Sequence, residues 1–114
     1  MTTAERDAVS GQAVTRDAIQ VPHDTHTAVA HWYGDFRDHQ GFDSSWNIPG
    51  ATSSSAVMVS ISELGIVNGQ LVPVQGLASC QVHNVVPSQD RVQVRGLVGW
   101  DSDLNLRLHF IVVA

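Results

Sequence analysis

Four of the six histidines fall between residues 23 and 39, as His23-Asp24-Thr25-His26, His31 and His39, interspersed with Asp35 and Asp38. Imidazoles and carboxylates at such density can bind zinc, iron or a related cation and run hydrolytic or oxidative chemistry. The HxxH spacing matches neither the helical HExxH pair nor the HxH of a cupin, and no later His-carboxylate set completes a site. The segment therefore reads as a solvated loop, with no metal and no cofactor expected, and His23, His26, His31 and His39 as the candidates should a metal bind. A second constellation is Trp100 followed by Asp101-Ser102-Asp103. A pyranose presents an apolar C–H face and a rim of hydroxyls, so an indole at a strand end beside carboxylates matches both surfaces. The competing reading makes Trp100 a cap on the core and the DSD segment a turn favoured by its own backbone chemistry. Gln81, His83 and Asn84 could line the same pocket, with Asp35 or Asp43 added from loops, or be inert surface groups.

No catalytic residue emerges. Cys80 stands alone in a run of small residues, which excludes an intrachain disulfide and a four-cysteine zinc site and suggests a buried small hydrophobe. Ser53-Ser54-Ser55 lies in a loop and no GxSxG elbow exists. The aromatics Trp32, Tyr33, Phe36, Phe42 and Trp46 alternate with Gly and Asp, as in an adaptable binding loop or a loop folded over an open end of the domain.

The elements that must position these groups are strands. Seventeen valines favour extended backbone. Val57, Val59 and Ile61 alternate with Met58, Ser60 and Ser62, the period of a half-buried strand. Asn68-Gly69 between Ile66-Val67 and Leu71-Val72 predicts a two-residue hairpin, since both positions tolerate positive φ. Alternation continues from Val72 through Val74, Gly76, Ala78, Cys80 and Val82 as one strand, with Pro73 marking an edge, and closes in a turn over 85–90. Val92, Val94, Gly96, Val98 and Trp100 alternate outward to the DSD turn, and Leu104, Leu106, Leu108, Phe110 and Val112 alternate back. Read as a hairpin with Trp100 opposite Leu104, this sets Arg95 opposite His109 and Leu97 opposite Arg107. In the first half, 28–33 is a candidate strand, 4–9 a candidate turn of helix, and 41–55 a loop.

At 114 residues the chain has room for one core: an N-terminal segment, 1–20, that can be flexible, then a single domain over 21–114. The expected fold is all-β, an antiparallel sandwich of about six strands. A net charge of −5 with only 15% charged residues gives no electrostatic draw towards nucleic acid or anionic membrane. No apolar run is long enough to span a bilayer, and the first residues lack a secretory pattern, which reads as cytoplasmic or non-classically secreted.

The strand from Ala56 to Leu64, the strand ending Val82-His83-Asn84-Val85-Val86, and Val92, Val94 and Trp100 before a polar turn and a final apolar strand follow one another in an order that resembles the H-type lectin domain of snail agglutinins and the discoidin C-terminal module. The resemblance covers about half the chain. It implies a six-stranded sandwich assembling as a trimer, with galactose-type sugars bound in shallow sites near subunit boundaries, Trp100 as the binding tryptophan and Asp101 as the polar residue after it. Gln81 falls near the family's sugar-binding arginine, and Ile111 or Val112 replaces its last-strand tryptophan, so specificity for N-acetylgalactosamine does not carry over. The function expected is therefore a lectin-like module rather than an enzyme, multivalent through homo-oligomerisation, with Trp100, Asp101, Asp103, Gln81, His83 and Asp35 as glycan contacts. Two alternatives stand beside it: a small β-barrel enzyme using the His/Asp segment 23–39, and a trimeric receptor-binding module of a fibre.

Overall fold

The computed structural model describes residues 14–22 and 29–113. Among them are nine strands and no helix, packed as two sheets, with strand content at 73%. The all-β sandwich matches the expectation from the sequence, with nine strands instead of about six. Those read directly from alternation are β5 (Ala56–Val67), β8 (Arg91–Val98) and β9 (Leu104–Val113); β3 (Val29–Asp38) extends the candidate strand of the first half. The additional ones are β1 (Val14–Asp17), β2 (Ile19–Val21) and β4 (Gln40–Asn47), while β6 (Gln70–Val74) and β7 (Cys80–Ser88) divide what reads as one strand. The candidate helical turn at 4–9 lies outside the described residues.

One sheet runs β1-β4-β8-β7 and the other β2-β3-β9-β5-β6. Among the described residues the first strand of the sandwich starts at Val14, within the expected N-terminal segment 1–20: β1 lies parallel to β4, the chain kinks at Ala18, and β2 joins the other sheet antiparallel to β3. Asn68 and Gly69, with φ of 54° and 79°, make the expected two-residue turn, pairing Val67 with Gln70.

The expected hairpin of β8 with β9 does not form. β8 pairs with β4 and β7, and β9 with β3 and β5. Arg95 lies opposite Asp43 and Asn84, and Leu97 opposite Gly41 and Gln81; His109 faces Tyr33 and Ser60, and Arg107 faces Asp35 and Ser62. Alternation records only which side of a strand is apolar, and that is the same whether two strands share a ladder or confront each other across a core. Here Val92, Val94 and Val98 confront Leu106, Leu108 and Phe110, all fully buried.

The pairing explains the corner that matters for the site. β3 and β4 belong to different sheets, yet only His39 separates them. Asp38 pairs with Leu104 and Gln40 with Val98, so the ribbon β9-β3 continues into β8-β4 around a bend. On the inside strand one residue makes the bend; on its partner five residues, 99–103, make the same passage, an extreme form of the bulge by which strands turn from one sheet to another.

The segment 41–55, read as loop, contains β4. Its Gly, Asp and Ser residues resemble loop composition, but Phe42, Ser44 and Trp46 face inward, and Trp46 Nε1 donates to Ser44 Oγ at 2.9 Å, satisfying the indole inside the core. The aromatics read as a binding loop are core: Trp32, Phe36, Phe42 and Trp46 are buried, with Phe36 and Phe42 rings 5.2 Å apart and Trp46 and Phe110 rings 5.7 Å apart. Each such side chain, fully buried, contributes on the order of 2 kcal/mol or more. At the far end Ile48 and Ala51 close the core, where the Asp90 backbone accepts from Ile48 N and donates to Ala51 O, and the Asp90 carboxylate accepts from Gly50 N.

The strand expected from Val72 through Val82 breaks at 75–79, where the chain leaves one sheet and enters the other. Pro73 in β6 and Pro87 in β7 both lie in strands that end their sheets, on the side where β5 packs against β7. No helix among the described residues is long and apolar enough to cross a membrane.

Candidate functional site

Five residues covering a passage that His39 makes alone leave surplus chain outside the sandwich, and Trp100 is carried on it. Gly99 N donates to Ser79 O and Trp100 N to Val98 O, both at 2.8 Å, which ends β8 and turns the chain out of its alternation. Trp100 accordingly lies outside the core-facing set in which its parity places it: it is 41% exposed, whereas Val98 is fully buried. Gly99, Trp100 and Asp101 line a shallow depression of about 300 Å³, with Asp101 exposed beside the indole. The arrangement offers an apolar plate and an adjacent acceptor to a ligand having one apolar face and a hydroxyl edge.

The far end of the same segment is tied to the corner. Asp103 Oδ1 lies 2.6 Å from His39 Nδ1, across 64 positions of sequence, with both side chains nearly half exposed. Asp38 Oδ1 accepts from the backbone N of His39 at 2.8 Å, and one ligand atom from each of Asp38, His39 and Asp103 falls within 4.8 Å of the others.

The remaining sequence-derived candidates do not line the depression. Gln81 and His83 contact each other at the edge of the four-stranded sheet, Oε1 to Nε2 at 3.0 Å, with the ladder irregular between Val82 and Asn84. Asp43 accepts from Gln93 Nε2 at 3.0 Å on the outside of that sheet. Asp35 belongs to the other sheet and is clamped by Arg107, Nε to Oδ1 at 2.6 Å and Nη2 to Oδ2 at 3.0 Å, with the guanidinium 5.0 Å from the centre of the Tyr33 ring. The Asp35 hydrogen bonds and charge raise the Arg107 pKa still further. Asp35 thus serves the strand pair that carries it.

The histidines are likewise dispersed. His31 and His39 sit at opposite ends of β3, about 26 Å apart at extended-strand rise. His31 Nε2 meets His109 Nδ1 at 2.9 Å, on the outer face of the five-stranded sheet. There burial, then the neighbouring His31 and Arg107, lower the His109 pKa, with Asp35 opposing. His23 and His26 lie outside the described residues.

One feature escaped the reading of the sequence. Ile61, Ser62, Glu63, Pro73, Gly76 and Cys80 are among the residues lining an open groove of about 420 Å³ where the β5–β6 hairpin meets the start of β7. Glu63 Oε1 is buried there with no hydrogen-bond partner among the described residues, and burial, followed by the Glu63 charge, pushes the Cys80 thiol up. The available signal was parity: Glu63 continues the inward set Val57, Val59, Ile61.

No family model, curated protein or solved structure matches the chain.

Proposed function

We propose that the chain is a carbohydrate-binding module in which Trp100 supplies the stacking plate and Asp101 the hydroxyl acceptor, with galactose-type sugars the class implied by its resemblance to H-type lectins. The observation that carries this reading is the exposure of Trp100 at a depression bordered by Asp101. An indole costs solubility when left in water, and a polar neighbour beside it suits a ligand with one apolar face and one hydroxylated edge. Asp103 contributes by tethering the segment to His39.

A single shallow site binds weakly, so the reading includes a homo-oligomer, a trimer or a multiple of it, in which several sites act together through effective concentration. In its support, Ile66 and Leu71, paired across the β5–β6 ladder, stand exposed side by side and offer apolar surface to a second copy.

A glycan array followed by calorimetric titration tests the function. Wild type is expected to bind galactose-type ligands, and Trp100→Ala to weaken the binding roughly tenfold, the equivalent of a stacking contact of about 1.4 kcal/mol. Absence of binding to any sugar, or binding indifferent to Trp100→Ala, rejects it. Light scattering tests the assembly, and a monomeric mass at all concentrations removes it.

A further inference from the structure

We infer that Asp38, His39 and Asp103 bind one divalent cation of the zinc class at the corner joining the two sheets. The three residues come from two chain segments that the register brings together: Asp38 ends β3, His39 is the bend itself, and Asp103 closes the five-residue passage opposite it. Their candidate ligand atoms converge within 4.8 Å. Among the described residues neither carboxylate pairs with an arginine, the Arg37 guanidinium donating instead to Asn105 Oδ1 at 3.2 Å. Two carboxylates flanking one imidazole concentrate negative charge that a dication neutralises.

The donor set selects the ion. One imidazole nitrogen and two carboxylate oxygens suit zinc, cobalt, nickel or manganese, whereas calcium and magnesium favour all-oxygen shells. His39 Nδ1 and Asp103 Oδ1 lie 2.6 Å apart, and the cation enters between them with the imidazole neutral, its Nδ1 lone pair on the cation and its N–H on Nε2. The two atoms part to about 3.3 Å, the separation of ligands 2.0–2.1 Å from a tetrahedral centre. Both side chains are nearly half exposed and free to make that adjustment. Water completes the shell. The bound cation would fasten the segment carrying Trp100 to the bend between β3 and β4.

The test is calorimetric titration of chelator-treated, tag-free protein with Zn²⁺ and, separately, with Ca²⁺ at neutral pH, without sugar. One Zn²⁺ per chain in the micromolar range is expected, with Ca²⁺ far weaker. Asp103→Asn and His39→Gln are expected each to weaken Zn²⁺ binding roughly tenfold or more. Asp43→Asn, bonded to Gln93 on the outside of the four-stranded sheet, should leave it unchanged. The inference is overturned if wild type shows no saturable Zn²⁺ binding up to millimolar concentration, if Ca²⁺ binds more tightly, or if both site variants bind as wild type does. Should one variant fail to fold, Zn²⁺ binding by the other decides whether the cation sits at this corner. Because no sugar is present, failure here leaves the Trp100 reading standing.

Discussion

The indole of Trp46 occupies the space that a side chain at residue 34 would need: a Cβ built on Gly34 overlaps the six-membered ring. The two residues belong to opposite sheets, so this contact sets how closely the layers approach beneath β3 and β4. Gly34→Ala is expected to cost about 3 kcal/mol, the upper end for overpacking a filled core, because the indole is held by Ser44 and cannot swing away. Chemical denaturation measures it; a loss within about 0.5 kcal/mol, the range of a neutral surface change, contradicts the packing described.

Trp46 and Trp100 should separate cleanly in stability. Trp46 is 1% exposed and touches both sheets, whereas Trp100 lies on the surplus segment outside the core. Trp46→Ala is expected to cost on the order of 3–5 kcal/mol, and Trp100→Ala less than about 1 kcal/mol. Equal losses would make Trp100 a core cap and remove it as an exposed platform.

Acid should loosen the five-stranded sheet at His109. Burial and the adjoining His31 and Arg107 hold the native pKa of His109 below the ordinary 6.5, so the unfolded chain binds this proton more readily than the folded one. The associated stability is fully present above about pH 6.5 and is lost as pH falls through the lower native value. Urea midpoints at about pH 7.5 and pH 5 should therefore differ less in His109→Gln than in wild type. An unchanged difference would assign the acid sensitivity to other groups.

Cys80 should be a sluggish nucleophile. Its thiol pKa is raised, first by burial and then by the charge of Glu63, so little thiolate exists at neutral pH. Alkylation by iodoacetamide is expected to run slower in the folded protein than in urea, and faster in Glu63→Gln than in wild type. Reaction as fast as in the unfolded chain would refute the environment described for β7.

The strands that could be read in advance were those whose apolar residues alternate without interruption, such as β5, β8 and β9. Asn68-Gly69 marked its turn because positive φ demands such residues. Partnership could not be read the same way. Val92, Val94 and Val98 would alternate identically beside Leu106 and Leu108 or across from them, and only the pairing of β3 with β9 distinguishes the two. β4 was hidden because Gly41, Asp43, Ser44 and Ser45 suit loops, although Phe42 and Trp46 fall on the inward side. Trp100 and Asp101 were visible as a pair, yet the exposure of the indole depends on the corner at His39, which parity does not encode. His39 itself is joined to Asp103 by a register that becomes legible only once β3 and β4 are known to lie in different sheets.

Pro73 and Pro87 bear on how the molecule avoids growing without limit. Each sits in the last strand of its sheet, on the same side of the sandwich, and each withholds an amide from the outermost rung. A foreign strand trying to zip onto that border would find its ladder interrupted in both layers, so this side of a valine-rich body is poorly suited to seed filaments. Along that border, contact with another copy is left to side-chain surfaces, which carry no repeating ladder to extend.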